Sequence, residues 1–90
     1  MNQDIKYDIF LMPGMAANPK IFEFIKLPSN YVIHYLEWEI PYKNESLSNY
    51  VLRLAKKIEG ENIILIGVSF GGLIVQEISK IIKYKNVIII

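Results

Sequence analysis

Asn62-Ile63-Ile64-Leu65-Ile66-Gly67-Val68-Ser69-Phe70-Gly71-Gly72 decides how this chain is read. Its first half is apolar at every position from Ile63 to Ile66, the pattern of a parallel strand covered on both faces rather than the alternation of a half-solvated one. Its second half is Gly-x-Ser-x-Gly, with glycines two residues to either side of Ser69. A serine in that pattern between a strand and a helix sits on a sharp, strained turn that lifts its hydroxyl above the sheet, and the turn forms only if the flanking positions lack bulk. Ser69 is therefore a candidate nucleophile, with Gly67 and Gly71 as the glycines of the elbow. The competing reading is a Gly-rich turn whose serine hydroxyl only caps the following helix.

Outward from this turn the chain alternates strand and helix. From Gly71 to about Tyr84, Leu73, Ile74, Val75, Ile78, Ile81 and Ile82 cover more than half of a helical circumference, which predicts a deeply buried helix. Asn86-Val87-Ile88-Ile89-Ile90 begins a further strand. Upstream, Leu47, Tyr50, Val51, Leu54, Ala55 and Ile58 follow helical spacing after Ser46, with Lys56 and Lys57 in the last turn and Gly60 beyond. Tyr31 to Leu36 is rich in β-branched and aromatic residues and reads as a strand. Tyr7 to Met12 is a strand stopped by Pro13-Gly14. Asn18-Pro19 then opens a short helix carrying Ile21, Phe22 and Ile25 and ending near Pro28.

Such alternation with right-handed crossovers gives an α/β fold: a parallel sheet of about four strands, order 2-1-3-4, with helices on both faces. Ligands bind beyond the carboxyl ends of the strands where the order reverses, here between the first and third strands. The Pro13-Gly14-Met15 turn and Ser69 are expected to meet at that point.

Composition narrows the function. Ten basic against nine acidic residues, with no block of either sign, give no reason to expect nucleic acid or an anionic membrane surface as partner. The 13 residues from Ile63 to Val75 are the most apolar stretch, but glycines and Ser69 interrupt it and it falls short of the roughly 18 apolar residues of a membrane span. The chain has no cysteine, so it has no disulfide, thiol nucleophile or thiolate metal site, in keeping with a cytoplasmic setting. Met1-Asn2-Gln3-Asp4-Ile5-Lys6 lacks the order of a secretory signal. A nucleotide-binding reading of the same topology fails, because neither Gly-x-Gly-x-x-Gly nor a P-loop lysine occurs and Ser69 stands where the second fingerprint glycine would be. No metal or cofactor is expected. The expected partner is a small acyl substrate. Val87 to Ile90, if left as an open apolar edge, invites self-association.

Together these residues resemble the α/β-hydrolase superfamily, most closely a small serine-hydrolase type, and the resemblance covers nearly all of the chain. It implies that residues 1–90 are the N-terminal portion of a single α/β-hydrolase domain whose C-terminal part is missing, with the four strands matching the central third to sixth of the usual eight. It implies an ester, thioester or related acyl substrate and an acyl-enzyme at Ser69. The backbone N–H groups of Phe70 and Met15 match the oxyanion-hole donors. Where the family often carries His-Gly in the first loop, this chain has Pro13-Gly14. The family's acid and histidine follow later strands, so catalysis is incomplete in this chain. The alternative is a non-catalytic fragment or a hydrolase-derived module that binds a small ligand.

His34, the sole histidine, falls within a strand and is read as packed or solvated rather than as the base. Glu37 and Glu39 are read as surface or pocket rim, and Glu77 as structural. Trp38 has two readings: a wall of an acyl or aromatic site, or a cover for the edge of the core.

Overall fold

The computed structural model describes residues 5–14 and 26–90. Along them run β1 (Tyr7–Met12), β2 (Tyr31–Tyr35), α1 (Leu47–Ala55), β3 (Ile63–Gly67), α2 (Phe70–Ser79) and β4 (Asn86–Ile89). Met15 and nearly all of the helix expected after Asn18-Pro19 lie outside the described residues.

All pairings are parallel and the strand order is β2-β1-β3-β4, as the alternation predicts. The register sets Asp8 opposite Ile63 and Met12 opposite Gly67, while Phe10 lies opposite both His34 and Leu65. Because side chains alternate across a strand, Asp8, Phe10 and Met12 share one face with Ile63 and Leu65. On that face Phe10, Met12 and Leu65 pack with Tyr50, Val51 and Leu54 of α1 and Ile74, Val75 and Ile78 of α2. Both described helices therefore cover the same side of the sheet. Ile9, Leu11 and Ile64, on the opposite side, are also buried.

Helix α1 begins where Ser46 accepts a hydrogen bond from the Asn49 N–H at 3.1 Å, and Lys56 caps its end. Helix α2 corrects the expectation from periodicity. It stops at Ser79 rather than near Tyr84, and Leu73 and Ile81 are 42% and 47% exposed. The Ile74, Val75 and Ile78 stripe meets the sheet and α1 and Ile82 packs partly against the same core, whereas Leu73 and Ile81 stay largely outside it. No helix among the described residues is long and apolar enough to cross a membrane.

Candidate active site

β3 ends at Gly67, and the chain turns directly into α2 through Val68 and Ser69. Strands on both sides hold the turn. The Val68 N–H donates to Met12 O at 3.0 Å, the Ser69 N–H to Ile90 O at 2.8 Å, and the Ile90 N–H to Gly67 O at 2.9 Å. Ser69 itself has φ 57° and ψ −126°, on the positive side that residues with a β-carbon rarely adopt. Holding a serine there costs about 1 to 3 kcal/mol and persists only where the surroundings over-determine it.

The flanking glycines show why they lack side chains. A β-carbon at Gly67 would stand 2.5 Å from Gly71 O and 2.6 Å from Val75 Cγ2, and one at Gly71 would run into the carbonyl oxygens of Met12 and Pro13. Gly67 thus lets α2 fold back closely over the end of β3, and Gly71 lets it approach the end of β1. Gly14 borders the same place, since a β-carbon there would lie 3.5 Å from Ser69 Cβ. The Gly14 loop and Ser69 accordingly meet beyond the carboxyl ends of β1 and β3, as the reversal of strand order requires.

Ser69 is exposed and its side chain makes no capping hydrogen bond to α2, which removes the reading of the serine as a helix cap. The backbone around it offers a donor. The N–H groups of Ser69, Gly71 and Gly72 are taken by Ile90 O, Val68 O and Ser69 O, whereas the Phe70 N–H has no acceptor among the described residues. It stands in the first turn of α2, where the helix dipole favours negative charge. The second expected donor, Met15, lies outside the described residues.

Trp38 joins the two loops. Its Nε1–H donates to Pro13 O at 3.0 Å, and its indole stacks on the Phe70 ring with 5.5 Å between centroids and 4° between planes. Beside this stack lies a cleft of about 320 Å³, whose apolar lining includes Leu47, Tyr50 and Ile74. The sequence singled out Trp38 but left its role open between wall and cover; it borders the cleft and packs on the core as well.

His34 is held elsewhere. Its Nε2 lies 2.8 Å from Oδ1 of the buried Asp8, and its ring stacks on Phe10 at 4.5 Å. It sits two strands from β3 and level with Leu65, so the end of β3 is roughly 7 Å further along the sheet and about 10 Å across it. The structure therefore does not bring His34 to Ser69. The Asp8–His34 pair was not foreseen: the two are 26 residues apart, and only the β1–β2 register puts them on one face.

Glu39 and Glu45, which line the cleft, are each paired with a cation. Arg53 donates through Nε to Glu45 Oε2 at 2.7 Å and through Nη2 to Glu45 Oε1 at 2.8 Å, while Lys57 pairs with Glu39. The Arg53 hydrogen bond holds the Glu45 carboxyl below the usual carboxylate range, and the Lys57 hydrogen bond and charge do the same for Glu39. The Arg53 guanidinium is pushed up, chiefly by its hydrogen bond to Glu45. Among the described residues no group of three or more His, Cys, Asp or Glu side chains could hold a metal ion.

Comparison with protein-family models, with curated proteins and with solved structures returned no match to this chain.

Proposed function

We infer that the chain carries the nucleophile and part of the oxyanion hole of a serine hydrolase of the α/β-hydrolase type, acting on an ester, thioester or related acyl substrate. The observation that carries this reading is the conformation of Ser69: an exposed serine held at φ 57° beside a Phe70 N–H that has no acceptor among the described residues. In the proposed reaction Ser69 Oγ attacks the substrate carbonyl carbon and the π electrons of the C=O bond move onto oxygen. The Phe70 N–H, and by resemblance that of Met15, meets the developing charge. Removing one such donor costs about 3 kcal/mol in related chemistry. Collapse expels the alcohol or thiol and leaves an acyl group on Ser69, and water then releases the acid.

The Ser69 proton must pass to a base, since a neutral hydroxyl is a weak nucleophile near neutral pH. His34 is committed to Asp8, so the 90-residue chain alone is expected to turn over slowly. The same observation favours a second reading, a binding module that keeps the pocket without hydrolysis. The cysteine-free sequence suits a reducing compartment such as the cytoplasm.

The two readings separate on treatment with an alkyl fluorophosphonate, alone and with imidazole added as an external base. A single adduct at Ser69, formed faster with imidazole and abolished by Ser69→Ala, supports the hydrolase. No adduct at Ser69 under either condition, in protein shown to be folded, overturns it in favour of the module.

A further inference from the structure

The cleft beside the Trp38–Phe70 stack has a composition that selects its ligand. Its walls are Trp38, Pro41, Leu47, Phe70 and Ile74, and its volume of about 320 Å³ is at the small end of ligand pockets. Most of the polar groups around it are already engaged. Tyr50 Oη donates to Glu39 O at 2.7 Å and accepts from the Glu39 N–H at 2.9 Å. Trp38 Nε1–H is given to Pro13 O, and Ser46 Oγ accepts from Asn49. Glu39 and Glu45 are neutralised by Lys57 and Arg53. A polar or charged group entering the cleft would shed its water and find its natural partners occupied, which is unfavourable. An apolar group loses nothing of the kind.

The cleft is also fixed relative to Ser69. Phe70 is the next residue along the chain, and Trp38 is hydrogen-bonded to Pro13, beside the Gly14 that borders Ser69. We propose that this cleft is the pocket for an uncharged, apolar acyl chain whose carbonyl end lies at Ser69, with Trp38 and Phe70 as its specificity-determining wall. Its assignment to the acyl portion rests on the hydrolase reading; the binding of an uncharged apolar chain does not.

Trp38 is the only tryptophan in the chain, so its emission reports on the pocket. The test titrates the 90-residue Ser69→Ala protein with methyl hexanoate, methyl acetate and monomethyl adipate. The last matches methyl hexanoate in length but ends in a carboxylate. Each buried methylene is worth roughly fourfold in affinity, so methyl hexanoate is expected to bind at least about tenfold more tightly than either other ester. Leu47 is half exposed at the rim, so Leu47→Lys places a cation there without disturbing the core. It is expected to shift the preference toward monomethyl adipate by about tenfold. Equal responses to all three esters, no response in protein that circular dichroism shows to be folded, or an unchanged preference in Leu47→Lys overturns the proposal. If the pocket discriminates as expected but the fluorophosphonate leaves Ser69 unlabelled, the hydrolase reading falls and the apolar binding site stands.

Discussion

The Ser69 N–H donates to the carbonyl oxygen of Ile90 at 2.8 Å, so the last residue of the chain helps to hold the one serine whose backbone is strained. The strain has a measurable sign. Replacing Ser69 by glycine removes the β-carbon that resists φ 57°, whereas alanine retains it. Ser69→Gly is expected to be more stable than Ser69→Ala by about 1 kcal/mol after allowing for the greater freedom of glycine in the unfolded chain. Urea denaturation of the two variants checks this, and an alanine variant as stable as the glycine one would count against stored strain.

The glycines around the turn are not equivalent. At Gly71 an added methyl meets backbone oxygens of Met12 and Pro13, which cannot move without displacing the end of β1. Gly71→Ala is expected to lose about 3 kcal/mol of stability, as in other overpacked sites. At Gly14 the nearest atom lies at an ordinary contact distance of 3.5 Å, and that atom is Ser69 Cβ. Gly14→Ala should keep a near-native melting temperature while slowing fluorophosphonate labelling of Ser69.

The Arg53–Glu45 pair predicts a pH dependence. The Glu45 carboxyl is held below its ordinary value in the folded protein, so its contribution to stability is fully present above the unfolded-state value. It is lost as pH falls through the lower folded value. Arg53→Met should therefore lower the melting temperature near neutral pH, and the gap from the parent chain should close in acid. Thermal melts from pH 7 downward test this. A gap that widens in acid would reverse the assigned sign.

His34→Phe preserves the stacking on Phe10 and removes the ring nitrogen that meets Asp8. Among the described residues Asp8 then has only Lys6 Nζ, 3.9 Å away, as a charged partner. A loss of about 1 to 3 kcal/mol is expected from leaving a buried carboxylate short of a hydrogen bond. Labelling at Ser69 should proceed at the parent rate. Slower labelling in this variant would mean that the imidazole does reach Ser69.

Strand β4 ends the sheet order, and Ile88, Ile89 and Ile90 are 44%, 47% and 72% exposed. Edge strands without a lysine, proline or bulge pair readily with other chains. The parent chain is expected to sediment faster as its concentration rises, and Ile88→Lys to remain a monomer. A parent chain that stays monomeric throughout would rule out the edge as a contact.

The parallel sheet and its order were legible because Ile63 to Ile66 is uninterruptedly apolar and strands and helices alternate. The tight turn after β3 was legible because α2 folds back closely over β3 and against the end of β1, and the absence of side chains this needs is written directly as Gly67 and Gly71. The length of α2 was not. Periodicity records which residues are apolar, but tertiary cover decides which are buried, and Leu73 and Ile81 lack it among the described residues. Nor could the spacing of single residues disclose the Trp38 bond to Pro13 or the Asp8–His34 pair, since both depend on how separate segments are aligned.

The position of that pair has a wider consequence. By spending its one imidazole as an internal clamp against Asp8 and Phe10, the molecule fastens the outer strand β2 to the body of β1 and leaves the Ser69 turn to be held by backbone bonds alone.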